Sequence, residues 1–237
     1  MQYHRILMKL SGGAVAGEST WGFDPTAFNH IADEILRTHQ AGIQISVMVG
    51  GGNIYRGELA ENWGIERAEA DNIGMMATVI NSLLLRGVLQ ARGEAEVRVM
   101  TAIPINAIAE PYIRLRAIRH LEHQSIVLLA AGTGNPYVTT DYPAVQRALE
   151  LRAEVLLAAK NGIDGIYSGD PKKDPQAQRY EMISYDKVIA QNLKALDQSA
   201  VLLARDHHLP IFVFDFDAPG VMQKICAGEE IGTRIGH

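Results

Sequence analysis

Short apolar runs alternate with stretches whose apolar residues recur at helical spacing. Arg5 to Leu10 is the first run, and it ends at Ser11-Gly12-Gly13. A helix is predicted next. Asp24 supplies an N-cap, Pro25 suits the first helical position, and Phe28, Ile31, Ala32, Ile35 and Leu36 share one face. Gly42 closes that helix, and the strand Ile43 to Val49 runs straight into Gly50-Gly51-Gly52. The alternation continues with a long helix over roughly Ala68 to Ala91, a strand over Val97 to Met100 and a helix around Pro111 to Leu121. The strand Ser125 to Ala131 meets Gly132-Thr133-Gly134-Asn135-Pro136, and a helix begins near Asp141. The strand Glu154 to Ala159 leads into Lys160-Asn161-Gly162. Beyond a polar loop from Gly169 to Tyr180, the pattern predicts a helical segment, a strand over Ile211 to Phe214, a helix after Pro219 and a last strand over Gly232 to Ile235.

Strands that are apolar throughout, rather than alternating, belong in a sheet covered on both faces. With the strand–helix alternation this predicts an α/β fold with a mainly parallel central sheet. No linker, internal repeat or low-complexity segment divides the 237 residues, so one domain over 1–237 is expected.

Charge and cysteine content narrow the function classes. Lys and Arg number 22 and Asp and Glu 27, a formal net charge of −5, which gives no bulk electrostatic case for nucleic acid or a membrane surface. The single cysteine, Cys226, rules out an intrachain disulfide and a CxxC motif, and fits a reducing compartment. Apolar runs such as Ile126 to Ala131 fall far short of the ~20 residues a bilayer span needs. No signal-peptide pattern precedes Glu18, so a cytoplasmic location is expected.

The glycines cluster where predicted strands end. In open α/β sheets ligands bind beyond the carboxyl ends of the strands, and glycine there lets backbone N–H groups approach a phosphate. One such turn would be uninformative; three at equivalent places favour an anionic ligand. The familiar nucleotide motifs are absent. There is no Gly-Lys dipeptide, hence no Walker A loop, and Tyr55 stands where G-x-G-x-x-G needs its third glycine. The protein-kinase signatures and a Ser/His/Asp or Cys/His constellation are missing too.

Charged residues beside the glycines are candidates for the chemistry. Lys9 interrupts an apolar strand, where a buried lysine is costly unless paired; it either meets a phosphoryl group or points outward at the strand end. Arg56 either reaches the same phosphate from the second glycine loop or lies on the surface. Asp141 is an N-cap or orients Lys9 by charge pairing. Asp71 is a cap or a ribose ligand. His120 and His123 read as surface residues, and His207-His208 as a helix end, where cations suit the dipole. Met75, Met76, Val79, Ile80, Leu83 and Leu84 make a broad apolar surface, either core or a subunit interface.

The blocks Lys9-Leu10-Ser11-Gly12, Gly50-Gly51-Gly52-Asn53-Ile54-Tyr55-Arg56-Gly57, Gly74 to Asn81, Gly132-Thr133-Gly134-Asn135-Pro136, Thr139-Thr140-Asp141, Asp164-Gly165-Ile166-Tyr167 and Asp170 to Pro175 together identify a family. From Arg5 to about Ile235 the chain resembles the bacterial UMP kinases (uridylate kinases) of the amino-acid kinase superfamily. The resemblance implies an α/β/α sandwich and Mg²⁺·ATP-dependent phosphorylation of UMP to UDP, in pyrimidine nucleotide biosynthesis. It implies an acceptor-binding part over roughly 1–150 and an ATP-binding part over roughly 151–237. Catalysis would fall to Lys9, Arg56 and Asp141. ATP would meet Lys9, Leu10, Ser11, Gly12, Gly52, Arg56, Asn161, Tyr167 and Asp170. UMP would meet Gly51, Asp71, Thr133, Gly134, Asn135, Pro136, Tyr137, Val138, Thr139 and Thr140. Gly17, Glu18, Ser19, Thr20, Trp21 and Gly22 match the segment tied to a GTP response. A hexamer built from dimers, GTP activation and UTP inhibition are likewise implied; whether the protein ligates Mg²⁺ directly stays open, since phosphates and water can hold it. A non-catalytic nucleotide sensor or storage protein on the same fold is the alternative.

Two residues depart from the family pattern. Gly13 stands where Glu is usual, and Trp21 stands where a small residue is commoner.

Overall fold

A computed structural model describes residues 1–19, 21–169, 173–174, 176–193 and 195–236. In chain order the elements are β1 (Arg5–Leu10), α1 (Gly12–Ala16), α2 (Pro25–Gln40), β2 (Gln44–Val49), α3 (Gly57–Trp63), α4 (Arg67–Arg92), β3 (Val97–Thr101), β4 (Glu110–Pro111), α5 (Arg114–Glu122) and β5 (Ile126–Ala130). Then come α6 (Asp141–Glu150), β6 (Val155–Lys160), β7 (Ile166–Tyr167), β8 (Arg179–Tyr180), β9 (Met182–Ser184), α7 (Tyr185–Ala190), α8 (Gln198–Asp206), β10 (Ile211–Asp215), α9 (Val221–Ala227) and β11 (Thr233–Gly236).

The main sheet runs β4-β3-β5-β2-β1-β6-β10-β11-β9, and every neighbouring pair is parallel except β10 with β11. Helices α1, α2, α4 and α9 bury their apolar stripes on one face, and α5, α6, α7 and α8 on the other. This is the expected α/β/α arrangement, and burial on both faces explains the continuous apolar runs in β1, β2, β5 and β6.

Local chemistry made several elements legible. The Asp24 carboxylate accepts from the amides of Thr26 and Ala27, closing the open N-terminus of α2. The 26-residue α4 is long and apolar enough to cross a membrane by composition alone; here it packs Ala77, Val79, Leu85 and Leu89 inward and buries Asn81 and Ser82. Its exposed side carries Ile73, Met76, Ile80 and Leu84.

Elsewhere the structure departs from the sequence pattern. Gly12 and Gly13 belong to a short helix, α1, rather than a loop. The helix expected from Pro111 begins at Arg114, because Pro111 pairs with Thr101 at the sheet edge. The predicted helical segment after the polar loop is two helices, α7 and α8, and the short α3, β4, β7, β8 and β9 carry too few residues to set a period. His120 is not a surface residue: its Nε2 lies 3.0 Å from a Glu110 carboxylate oxygen and its side chain is 19% exposed. His123 is exposed, as expected.

Cys226 is fully buried under β10, and burial pushes its thiol up to about 12. We expect a thiol reagent at about pH 8 to label it only as fast as the protein unfolds globally. Labelling within the mixing time in native buffer would contradict this packing.

Candidate active site

The order of strands reverses direction at β1: β2 lies on one side and β6 on the other. A crevice beyond the carboxyl ends of the strands is the expected ligand site at such a point. Lys9, the next-to-last residue of β1, is 7% exposed. Its Nζ lies 2.5 Å from an Asp141 carboxylate oxygen. Asp141 is the first residue of α6, makes no side-chain cap bond, and accepts from the Asp197 amide at 3.1 Å. Of the two readings open for Asp141, charge pairing with Lys9 is the one the geometry realises.

Two adjoining cavities occupy the crevice. One, of about 240 Å³, is lined by Lys9, Ser11, Gly12, Gly50, Gly51, Gly52, Thr139, Thr140, Asp141 and Asp197. The other, of about 420 Å³, includes Gly51, Gly52, Arg56, Asp71, Thr133, Asn135, Val138, Thr139 and Thr140 in its wall. The shared residues Gly51, Gly52, Thr139 and Thr140 make the two continuous.

Close backbone approach shapes the first cavity. A Cβ on Gly12 would overlap the Gly52 amide nitrogen and lie 2.8 Å from the Asn53 amide nitrogen. Glycine alone lets the end of β1 and the loop after β2 meet there. Beneath them Asn53 and Asn81 exchange two hydrogen bonds, at 3.0 and 2.7 Å, and Asn81 also donates to the Gly50 carbonyl at 2.7 Å. This buried, satisfied network fixes the glycine loop on α4.

The wall of the second cavity is pinned at several points. Ala131 and Gly132 are both left-handed, with φ +61° and +54°. For Ala131 that conformation costs on the order of 1–2 kcal/mol. It is held by the Ala131 amide donating to Thr78 Oγ1 at 2.8 Å and by Arg147 donating to the Gly132 carbonyl at 3.2 Å. Arg147 stacks on Tyr112, 3.8 Å from the ring centre, and pairs with Glu150 at 2.7 Å. Burial would raise the Glu150 carboxyl, but hydrogen bonds from Tyr112 and Arg147 outweigh it and hold the group below the usual range. Farther along, the Tyr137 amide donates to Asp71 at 2.7 Å.

Most of the expected site residues converge. Lys9, Ser11, Gly12, Gly51, Gly52, Arg56, Asp71, Thr133, Asn135, Val138, Thr139, Thr140 and Asp141 all line the joined cavities. Others do not. The Leu10 side chain is fully buried in the core, so only its backbone is near the crevice. Gly134, Pro136 and Tyr137 belong to the loop but not to its lining, because the loop folds Gly134 against Ala102 and turns Tyr137 outward. Asn161 lines a separate cavity of about 640 Å³ with Gly17, Glu18, Phe216 and Asp217. The Tyr167 hydroxyl donates to Asp164 at 2.7 Å, away from both joined cavities. Asp170 and Thr20 lie outside the described residues. Asp71 is not a cap: α4 begins at Arg67, and the Asp71 carboxylate takes the Arg67 guanidinium at 2.9 Å as well as Tyr137.

Trp21 and Gly22 also reach the site. The Gly22 amide donates to the Asn53 carbonyl at 2.8 Å, and Asn53 returns a bond to the Gly22 carbonyl at 3.0 Å. The Arg56 guanidinium carbon sits 5.2 Å from the centre of the Trp21 ring, while its Nε donates to the Gly52 carbonyl at 2.9 Å.

Two charged residues at the crevice were not singled out from the sequence. Asp197, at the start of α8, accepts a hydrogen bond from the Thr139 hydroxyl. Lys160 ends β6 as Lys9 nearly ends β1, and that repeated pattern was the available signal. Burial and then the Lys9 ammonium hold the Lys160 ammonium below the usual lysine range, against the pull of Asp141 and Asp197.

Comparison with known proteins agrees with this geometry. The amino acid kinase family model matches residues 4–215. A protein of Frankia alni named uridylate kinase is 56% identical over 234 residues, covering 99% of this chain and 91% of the relative. The crystal structure of UMP kinase from Bacillus anthracis superposes with a TM-score of 0.97 at 54% identity, covering 100% and 97% of the two chains. That of UMP kinase from Ureaplasma parvum gives 0.92 at 33% identity, with full coverage of both. The chain belongs to the amino acid kinase family and, within it, to the uridylate kinases.

Proposed function

We propose that the chain transfers the γ-phosphoryl group of ATP to UMP, giving ADP and UDP, as a step of pyrimidine nucleotide biosynthesis. The observation that carries this reading is the Lys9–Asp141 pair, which lines the smaller cavity beside the glycine loop. UMP takes the larger cavity, with Asp71 and the 133–140 loop around it. ATP extends from the smaller one toward Asn161 and Tyr167. The acceptor part then covers roughly residues 1–150 and the donor part the remainder.

The acceptor is a phosphate monoester whose second pKa is about 6, so it is mostly dianionic at neutral pH and needs no general base. What must be overcome is repulsion between two anions. Lys9, Arg56 and the glycine-loop amides supply positive charge, most usefully where charge spreads in the transition state. Asp141 holds Lys9 in place and takes no proton.

No group of three or more His, Cys, Asp or Glu side chains able to hold a metal occurs among the described residues. Mg²⁺ keeps most of its water and needs only phosphate oxygens and one or two carboxylates, so Asp141 and Asp197 at the crevice are a sufficient protein contribution. When bound, it neutralises charge on the donor phosphates. The exposed Ile73, Met76, Ile80 and Leu84 of α4 are the face on which we expect dimers to form, on the way to a hexamer. GTP and UTP are the expected effectors, and the cytoplasm the expected location.

Trp21 bears on the GTP response, since its ring holds Arg56. An exposed cation–π contact contributes about 0.5–1 kcal/mol, so Trp21→Ala should change kcat/KM for UMP by only about two- to fivefold and alter the response to GTP. Kinetics identical to the parent with and without GTP would remove Trp21 from regulation.

A coupled ADP-release assay with UMP, CMP, dTMP and acetylglutamate as acceptors tests the function. Turnover on UMP is expected. Protein that binds ATP but turns over no acceptor would be a sensor or storage protein instead.

A further inference from the structure

A second lysine stands at the crevice. The register pairs Lys9 of β1 with Ala158 of β6, so Lys160, two residues on, faces the same side of the sheet. That side is covered by α6 and α8, whose N-terminal ends carry Asp141 and Asp197. The order β2-β1-β6 sets three cation-bearing strand ends side by side, with Arg56 following β2, Lys9 near the end of β1 and Lys160 ending β6.

Lys9 has a carboxylate partner in Asp141. The Lys160 side chain forms no ion pair or hydrogen bond with any described residue, although it is largely buried. A partly buried ammonium with a like charge beside it is costly unless an anion completes its surroundings. Asp141 and Asp197 act on it only at longer range. The smaller cavity, lined by Lys9, Asp141 and Asp197, adjoins this spot.

We propose that Lys160 is a second phosphate-binding lysine, whose ammonium takes an oxygen of the donor triphosphate on the side of Lys9 away from Arg56. This rests on ATP being the donor. In the transfer an oxygen of the acceptor phosphate bonds to the γ-phosphorus. The bond from that phosphorus to the β–γ bridging oxygen breaks, and ADP leaves with the electron pair. Lys160 exchanges no proton; it adds positive charge beside the β- and γ-phosphate oxygens.

The test uses the full chain carrying Lys160→Met or Lys160→Arg. It reads steady-state kinetics and calorimetric binding of AMP and of a non-hydrolysable ATP analogue. Lys160→Met should lower kcat/KM for ATP about 30-fold and weaken the analogue about tenfold, with KM for UMP within about threefold of the parent. AMP binding should be unchanged, and Lys160→Arg should recover most of the loss. A purely structural role would weaken AMP and the analogue alike, and that result overturns the proposal. So does an unchanged kcat/KM for ATP in Lys160→Met. If that variant does not fold, Lys160→Gln gives the same readouts. Failure of the parent to phosphorylate UMP would instead overturn the proposed acceptor, while the contrast between AMP and the analogue would still report on Lys160.

Discussion

Lys9→Met is expected to lower kcat by about 10³-fold, equivalent to ~4 kcal/mol of transition-state stabilisation, while the chain still folds. Lys9 is the cation buried most deeply at the crevice, and Asp141 holds its ammonium 2.5 Å away. A cation placed in advance costs no reorganisation when charge spreads over the transferring phosphoryl group. Removing it takes that stabilisation away and leaves the Asp141 carboxylate without its partner. A fully buried orphan charge would cost ~3–5 kcal/mol. Here the penalty should be smaller, about 1–2 kcal/mol, because Asp141 lines an open cavity and keeps the Asp197 amide as a donor. Asp141→Asn should cut turnover less, since it keeps the ammonium and loses only its anchor. The check is single-turnover kinetics at saturating ATP and UMP beside a thermal melt. A kcat within tenfold of the parent would remove Lys9 from the chemistry, and a complete loss of UMP binding in Asp141→Asn would make Asp141 an acceptor ligand.

Gly12→Ala should be the other severe change, although it adds one methyl group. The new Cβ would overlap the Gly52 amide nitrogen and come within 2.8 Å of the Asn53 amide nitrogen and 2.9 Å of the Asn53 side chain. Backbone cannot swing aside as a flexible side chain can, so β1 and the glycine loop must separate. Overpacking of this kind costs about 1–3 kcal/mol and displaces both loops proposed to cradle phosphate. A displacement of about 1 Å in positioning groups can cost about 10²-fold in rate, and we expect at least that loss in kcat/KM for ATP. Gly13 next door is a control. Its Cβ would meet nothing closer than Ser11 Oγ at 3.7 Å, and it is exposed within α1. Gly13→Glu, which restores the residue usual in the family, should therefore fold at least as stably as the parent. Equal activity in Gly12→Ala and Gly13→Glu would refute the close approach of the two loops.

The two variants mark what could be read along the chain. Apolar runs, helical spacing, the Asp24-Pro25 start of α2 and glycines at strand ends are local signals, and each corresponds to an observed element or turn. Lys9 was conspicuous because a charge inside an apolar strand conflicts with its surroundings, and such conflicts tend to mark function. The same logic applied to Lys160, but at a strand's last residue a lysine is unremarkable until its neighbours are known. Asp71 looked equally like a cap or a ligand, because its sequence position does not say where α4 starts.

By itself, then, the sequence determined the α/β class, most strands and long helices, and the motif blocks that place the chain among its relatives. Tertiary structure decided which charges meet. It paired Lys9 with Asp141, brought Asp197 against Thr139, set Lys160 on the face of Lys9 and laid Trp21 over Arg56. It also buried Leu10 and turned Tyr137 away from the cavity. The reason is physical. A period of two or 3.6 residues is written in neighbours along the chain. Strand order, register and the direction of each helix end depend on burying two apolar faces at once, and only that burial fixes which distant side chains stand within hydrogen-bonding distance.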